Sequence, residues 1–399
     1  MSNIETDPSR NPGPLAGVRV LELAGIGPVP FCGMLLADMG AEILRVDRAD
    51  PVLRSDRNPR HDLMSRGRRS AAVDLKQPEG MALVRRLCAR ADVLLEGFRP
   101  GVIERLGLAP EILLHENPRL VIGRMTGWGQ DGPLAPRAGH DINYIALSGA
   151  LHAMGKAGEK PPVPLNLIGD FGGGGMYLAF GVLCALHHAA RTGQGQVVDA
   201  AMLDGALSLM TMFFGMRQSG MWSDERGTNF LDGSAPFYDT YETRDGGFVA
   251  VGAIEPEFWA NLLRRMELHD IDPRCQRDRS TWPDTRQRLA AAFRTRTREE
   301  WCSLLEGFDA CFSPVLAMAE AGSHAHLKAR DSMTEAFGML QPRPAPRLSR
   351  TPPDLGLPPP RPGEHTRPAL GDWGITETEL DELEKSGTIG WRGPAWPKD

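Results

Sequence analysis

The sequence predicts an α/β protein with a large open parallel sheet and a second, smaller α+β domain. The first observation is an alternation of short strand-like and helix-like segments between residues 17 and 98. The second is a hairpin pattern near residue 240, followed by three helical segments. The third is length, because 399 residues can build two domains with cores of their own.

The N-terminal alternation has four strand segments and two helical segments. The strands read VRVLEL, AEILRVDR, SAAVDL and DVLLEGF, and the helices read PFCGMLLADMG and PEGMALVRRLCARA. Gly40 ends the first helix and Pro78 opens the second. Strands joined through helices by short links form parallel sheets with right-handed crossovers, so we expect an open α/β domain here.

The turn after the first strand has only part of a dinucleotide-binding fingerprint. Gly25 and Gly27 have the required spacing, but Pro30 occupies the position of the third glycine. Proline does not allow the close packing of helix and strand that this glycine provides. A nicotinamide or flavin site is therefore disfavoured.

The remainder of the chain changes character several times. We expect helices over 171–192 and 198–222, and a hairpin over 237–254 around Arg-Asp-Gly-Gly. Further helices are predicted at 256–267, 282–295 and 298–306, and a capped helix from Thr376 to Gly387. Nine prolines within 341–363 predict an extended strap.

These patterns predict four parts. Residues 1–200 form the large α/β domain, 201–236 a helical linker, and 237–320 the small α+β domain. Residues 321–399 form a return linker, the proline-rich strap and a C-terminal helix that packs on the large domain.

Composition and charge give no reason to expect a nucleic-acid or membrane partner. The net charge is −6, which gives no reason to expect a polyanionic partner. The first thirteen residues lack the apolar core of a signal peptide, and we expect no apolar run to reach the ~18 residues of a membrane span. We therefore expect no nucleic-acid and no membrane partner.

The six cysteines are scattered and form no CxxC pair. Several lie in apolar runs, which predicts buried free thiols and no zinc site. This usage is typical of a reducing, cytoplasmic location. The six are Cys32, Cys88, Cys184, Cys275, Cys302 and Cys311.

Residues 166–176 form the most informative short segment, Asn-Leu-Ile-Gly-Asp-Phe followed by four glycines and Met. Asp170 precedes glycines at the start of an apolar helical stretch, where backbone N–H groups are free to bind an oxyanion. Asp170 is a candidate nucleophile or proton-transfer base. The ordinary alternative is that it only caps the helix.

Four segments together resemble the family III CoA transferases (CaiB/BaiF), and the α-methylacyl-CoA racemase branch most closely. They are residues 22–48, 96–107, 124–144 and 363–389. The runs GHDINYIALSGALHAMG, PLNLIGDFGGG, GQVVDAAMLDG, GMWSDERG and DTYETRDGGFVAVGAIEPEFW carry the similarity to that branch. The resemblance covers nearly all of residues 14–390.

The resemblance implies a CoA-binding large domain and an interlocked homodimer. Active sites would lie between the large domain of one subunit and the small domain of the other. The implied substrate is an acyl-CoA thioester, with no cofactor beyond the CoA of the substrate and no metal.

The resemblance also implies four catalytic residues. His140 and Asp170 match the two bases, Glu255 the carboxylate that orients the histidine, and Asn166 the amide beside the aspartate. Two bases on opposite faces of a carbon acid can remove its α-proton and return one with inversion. Free N–H groups around Asp170 and Gly172 are candidate donors that would stabilise the enolate.

The same aspartate position serves the transferase branch, in which Asp170 would attack the thioester and form a mixed anhydride. The presence of His140, Asn166 and Glu255 favours the racemase. The CoA transferase remains the alternative.

Further residues match the family's CoA and substrate contacts, since phosphates call for basic side chains near strand ends. They are Arg48, Val73, Asp74, Leu75, Lys76, Gly97, Phe98, Arg99, Arg105, Gly139, Asp141, Ile142, Asn143 and Tyr144. Methionines 202, 210, 212, 216 and 221 fall in the predicted helix 198–222, either as core residues or as an adaptable acyl surface.

Overall fold

A computed structural model describes residues 13–50 and 58–393, which divide into two compact units. The first unit contains the described residues up to Ser148, Pro164–Leu209 and the described residues from Met333 onward. The second contains Gly149–Val163 and Met210–Ser332. The division therefore differs from the predicted boundaries at 200 and 236, because residues 202–209 pack on the glycine-rich segment and 149–163 bond within the second unit.

The first unit is built on a six-stranded parallel sheet in the order β3-β2-β1-β4-β5-β6. The order reverses between β1 and β4, so the crevice at their carboxyl ends is a topological switch point, where ligands bind in open α/β sheets. The strands are β1 Arg19–Leu23, β2 Glu42–Arg48, β3 Arg68–Val73, β4 Val93–Glu96, β5 Val121–Thr126 and β6 Val197–Ala201.

Helices cover both faces of this sheet, as the predicted crossovers require. On β1, Val20 packs into one core layer, whereas Leu21 and Leu23 pack into the other. The helices are α1 Pro28–Asp38, α2 Pro78–Cys88, α3 Val102–Arg105, α4 Pro110–Glu116, α5 Asp141–Leu147, α7 Met176–Thr192, α8 Met202–Leu209, α15 Thr366–Asp372 and α16 Glu377–Lys385. A small hairpin, β10 Met333–Ala336 and β11 Met339–Pro342, completes the unit.

The second unit is a three-stranded antiparallel sheet with helices around an aromatic core. Its hairpin and the three helices that follow confirm the predicted pattern. The elements are α6 Ala150–Ala153, α9 Thr211–Gln218, β7 Tyr238–Glu242, β8 Phe248–Gly252, α10 Pro256–Arg265, α11 Trp282–Phe293, α12 Arg298–Leu305, β9 Phe312–Val315, α13 Met318–Ala321 and α14 Ala325–Ala329.

The predicted helix over 198–222 is wrong in two places. Residues Val197–Ala201 form the edge strand β6, which pairs in parallel with β5. The helical part is also broken at Met210, between α8 and α9. Pairing with a strand some 75 residues earlier decides the first point, and local periodicity carries no information about it.

A second departure concerns the glycine-rich segment before α7. Leu167–Gly175 form a π-helical turn that runs directly into α7. The combined helix, Leu167–Thr192, has 26 residues, and within the described residues it is the one helix long and apolar enough to cross a membrane. The expectation that no segment reaches that length is wrong. A core helix that packs against other elements meets the same test. This helix packs closely on α8, because a Cβ on Gly173 would lie only 2.6 Å from the amide nitrogen of Ala206.

The cysteines only partly follow the sequence expectation. All six are free thiols, but only Cys32 and Cys88 are buried, whereas Cys184, Cys275 and Cys311 are exposed. Burial raises the pKa of the Cys88 thiol to about 12. An apolar neighbourhood in sequence does not specify which face of a helix a cysteine occupies.

After Pro342, the last residue of β11, the proline-rich segment forms no helix or strand, and its backbone bonds to other parts of the first unit. The Gly67 amide donates to the Leu357 carbonyl at 2.7 Å, and the Asp354 amide to the Asp38 carbonyl at 3.0 Å. The C-terminal helix follows, with the predicted capping box formed by Thr376 and Glu379.

A fully buried ion pair joins β1 to β3 beneath α1. The Nε of Arg68 donates to Oε2 of Glu22 at 2.8 Å, and neither side chain is exposed. Arg68 also donates to the carbonyls of Pro30 and Met64. A Cβ on Gly33 would lie 2.1 Å from Oε2 of Glu22, so only glycine fits at that point of α1.

We predict that Arg68→Ala lowers the free energy of unfolding by about 3–5 kcal/mol, because it leaves the Glu22 carboxylate buried without its partner. Arg86→Ala is the matched control. Arg86 pairs with Glu379 at the surface, so that change should cost less than about 1 kcal/mol. Denaturant unfolding measures both values, and equal losses would contradict the role of the buried pair.

Candidate active site

A cavity of about 550 Å³ lies at the switch point of the large sheet. The turns that follow β1, β4 and β5 line it with Ile26–Val29, Gly97–Pro100 and Thr126–Trp128. Its remaining wall contains Gly139, His140, Tyr144, Asn166 and Asp170. The fold therefore brings together eight of the predicted site residues, namely Gly97, Phe98, Arg99, Gly139, His140, Tyr144, Asn166 and Asp170.

His140 is held by the start of α5. It is the N-cap residue of this helix, and its backbone N–H donates to Oδ1 of Asn143 at 3.0 Å. The imidazole is exposed and lines the cavity. The cap fixes the backbone of the histidine and leaves its ring accessible to a ligand.

Asp170 lies in the π-helical turn and is oriented by Asn166. The Asn166 amide donates from Nδ2 to Oδ2 of Asp170 at 3.0 Å. No described residue donates a side-chain hydrogen bond to the other oxygen, Oδ1. One oxygen is thus held by the protein and the other is left to accept a proton.

The same carboxylate explains why this turn does not suit a dinucleotide. Gly27 has φ +69°, and a Cβ there would lie 3.4 Å from Oδ2 of Asp170. In a dinucleotide-binding fold this turn approaches a diphosphate, and a carboxylate at that distance would repel one. The geometry agrees with the exclusion based on Pro30.

Asp141 is buried between α5 and the π-helical turn. Its Oδ1 accepts the Asp170 N–H at 2.7 Å, and the neighbouring Gly169 N–H also faces this carboxylate. Burial raises the pKa of the Asp141 carboxyl, and the nearby Asp170 carboxylate raises it further, while these two N–H groups oppose the rise. The expectation that the Asp170 N–H is free for an enolate is therefore wrong.

Tyr144 forms part of the cavity floor. Its ring packs edge-on against Trp128 at 4.7 Å, and burial raises the pKa of its hydroxyl to about 12. A Cβ on Gly127 would lie 2.2 Å from the ring, and one on Gly139 2.8 Å from it. These two glycines give the ring its space.

Other predicted residues lie outside the cavity lining. Arg48, Lys76 and Arg105 are exposed on the first unit. The Asp74 carboxylate is engaged by Arg392 at 2.5 Å, and this bond lowers its pKa. The remaining members of this group are Val73, Leu75, Asp141, Ile142 and Asn143.

Glu255 belongs to the second unit. It is the N-cap residue of α10, and its exposed side chain makes no capping hydrogen bond. The methionines are divided in the same way. Met202 lines the cavity of the first unit, whereas Met210, Met212, Met216 and Met221 belong to the second, so they do not share one helix face.

Sequence reasoning missed several cavity residues. Ile26, Met64 and Trp128 contribute apolar surface, and Arg137 adds a guanidinium three residues before His140. No described residue forms an ion pair with the Arg137 side chain. Its position just before the glycine-histidine pair was the available signal.

The profile of CoA-transferase family III matches residues 15–366, and the chain belongs to this family. It is 47% identical over 374 residues to an α-methylacyl-CoA racemase of Mus musculus, covering 92% of this chain and 96% of that protein. The corresponding racemase of Homo sapiens is 45% identical over 382 residues, covering 94% and 97%. The crystal structure of a CAIB/BAIF family protein from Brucella suis superposes with a TM-score of 0.77 at 26% identity, covering 90% and 99%.

The resemblance and the α/β fold class inferred from the sequence are therefore confirmed.

Among the described residues, no group of three or more His, Cys, Asp and Glu side chains has an arrangement that could hold a metal ion.

We predict that Gly27→Ala lowers the turnover number for an acyl-CoA thioester at least about tenfold. A side chain is strained at φ +69° and approaches the Asp170 carboxylate, and small displacements of a reacting group are costly. Gly25→Ala is the control, because its Cβ would contact only the Leu23 carbonyl oxygen, at an ordinary van der Waals distance of 3.9 Å. Steady-state kinetics would contradict the assignment if both variants turned over equally fast.

Proposed function

We propose that this protein is an α-methylacyl-CoA racemase, which interconverts (2R)- and (2S)-2-methylacyl-CoA. The observation that carries the proposal is that an imidazole, His140, and a carboxylate, Asp170, line one cavity at the switch point of the sheet. Two mammalian relatives with that name, at 47% and 45% identity, support the reaction class.

The reaction moves one proton at a time. Neutral His140 removes the α-proton from one epimer, the C–H electrons pass into the thioester carbonyl, and an enolate forms. Protonated Asp170 then delivers its proton to the opposite face, which leaves imidazolium and carboxylate. The other epimer uses the same two residues in reverse, with carboxylate as base and imidazolium as acid.

The thioester and the two bases suffice for this chemistry. The carbonyl makes the α-hydrogen acidic, and no electron transfer is involved, so the only cofactor moiety is the CoA of the substrate. Asn166 holds Oδ2 of Asp170, which favours proton transfer through Oδ1.

CoA binding is assigned to the carboxyl edge of the sheet. Arg48, Lys76, Arg99 and Arg105 supply positive charge, and the backbone of residues 73–76 and 97–99 lies beside them. None of these four side chains forms an ion pair with a described residue. They are therefore available for phosphate oxygens.

We also propose a homodimer in which Glu255 of the partner subunit orients His140. Apolar side chains exposed on the first unit support association with a second copy, since soluble monomers rarely expose large apolar patches. They include Leu165, Leu167, Met176, Phe180, Leu183 and Leu209, with Leu165 71% and Phe180 67% exposed. The free thiols support a reducing, cytoplasmic location.

The alternative is a CoA transferase, in which an oxygen of Asp170 attacks the thioester carbonyl and the CoA thiolate leaves. The family name and the free Oδ1 of Asp170 favour this reading, because the same atom serves as nucleophile. His140 in the same cavity favours the racemase.

We predict that His140→Ala and Asp170→Ala each lower racemisation at least about 10²-fold, the usual contribution of one positioned acid or base. The assay follows a 2-methylacyl-CoA of each configuration in deuterated water, and His115→Ala, an exposed residue of α4, serves as control. Deuterium at Cα in both epimers is the expected wild-type result. Transfer of CoA to an added free acid without α-exchange would identify the transferase instead.

We predict that inactive Glu255→Ala and His140→Ala chains regain activity when co-expressed. A heterodimer would contain one site with intact His140 and a partner's intact Glu255, so up to about half of wild-type activity should return. Purified heterodimers, isolated with two different tags, provide the measurement. Activity that stays at the level of the single variants would mean that Glu255 does not act across subunits.

A further inference from the structure

The carboxylate of Asp141 connects the two residues to which proton transfer is assigned. Asp141 follows His140 directly in sequence, at the first position of α5. Its Oδ1 accepts the backbone N–H of Asp170 at 2.7 Å. One side chain thus joins the backbone of one base to the backbone of the other.

The bond partners of Asp141 are the N–H groups that a π-helical turn leaves unpaired. The turn begins at Leu167, and its i→i−5 bonding gives the first N–H groups no carbonyl within the turn. Asp141 accepts one of these, from Asp170, and the Gly169 N–H also faces its carboxylate. The carboxylate is therefore a cap contributed by another helix.

The fit is close enough to require glycine on the other side. A Cβ on Gly169 would lie 2.6 Å from Oδ1 of Asp141 and 3.3 Å from its Cα. The backbone of the turn therefore lies so close to α5 that only a residue without a Cβ fits at position 169.

The arrangement is not what folding stability alone would favour. Asp141 is only 5% exposed, its Oδ2 has no hydrogen-bond partner, and a second carboxylate, Asp170, lies nearby. A buried polar atom without a partner costs free energy. A role in positioning explains why a carboxylate occupies this place.

We propose that Asp141 is a positioning residue that fixes Asp170 relative to His140. The inference rests on the proposed racemase function and adds a determinant of its stereochemistry. We call the hydrogen bond between Asp141 and the Asp170 N–H the clamp. If the clamp is lost, Asp170 moves away from its face of the substrate, whereas His140 keeps its place at the start of α5. Inversion should then fall for both epimers, whereas α-exchange should fall more for the epimer that Asp170 deprotonates.

The test compares Asp141→Ala with Asp141→Asn, each with separate epimers in deuterated water. Alanine removes the acceptor, so inversion should fall about 10- to 100-fold, with the KM for acyl-CoA changed less than threefold. For the epimer deprotonated by His140, α-exchange without inversion should persist, so its ratio of exchange to inversion should rise at least tenfold. For the other epimer, exchange and inversion should fall together. The amide oxygen of asparagine can still accept the Asp170 N–H, so Asp141→Asn should invert both epimers at close to the wild-type rate.

Two controls separate positioning from general destabilisation. Asp232→Ala removes a carboxylate that likewise accepts backbone N–H groups, from Gly227 and Asn229, but in the second unit. It should lower the unfolding temperature without changing either exchange ratio. Gly169→Ala disturbs the same clamp from its other side and should reproduce the asymmetry, which keeps the test open if Asp141→Ala does not fold.

The outcomes are distinct. Equal losses of α-exchange for both epimers in Asp141→Ala and Gly169→Ala, or no rescue by asparagine, would overturn the positioning role. Failure of the racemase function would appear earlier, as an absence of α-exchange in the wild-type protein.

Discussion

The buried ion pair between Glu22 and Arg68 holds together the elements that border the cavity. Glu22 lies in β1, Arg68 in β3, and the guanidinium also binds the carbonyls of Pro30 in α1 and Met64 in the preceding segment. Burial raises the pKa of Glu22, and Arg68 is the strongest opposing influence. Because neither charge can be solvated, each depends on the other, and the turn after β1 has one position relative to the sheet.

A second buried pair acts in the same way after β4. Arg124 donates from Nε to Glu96 at 2.8 Å, and the other oxygen of Glu96 accepts the Phe98 N–H at 2.7 Å. This bond fixes the Gly97–Arg99 turn, which lines the cavity. Both sides of the switch point are therefore set by carboxylates that are buried beneath the sheet edge. An apolar core could fill that space, but it would not direct these turns.

The strand order of the first unit is one that supports many ligands, so function depends on what the turns contribute. Here Gly27 meets a carboxylate, the α5 N-terminus presents an imidazole, and Asn166 holds one oxygen of Asp170. These features favour proton transfer at a carbon next to a thioester. The sheet has the strand order of a dinucleotide-binding fold, but its first turn faces the Asp170 carboxylate instead of a diphosphate, so the third glycine of the fingerprint is not needed.

The sequence by itself determined the strand–helix alternation, the hairpin, the cap at Thr376 and the candidate bases, because each depends on neighbouring residues or on a recognisable short motif. Only the tertiary structure decided that residues 197–201 are a strand, since their partner is β5. It likewise decided that the Asp170 N–H is occupied, because the acceptor, Asp141, lies 29 residues away. Local patterns specify which groups are present, whereas contacts between distant segments determine which of those groups remain free to react.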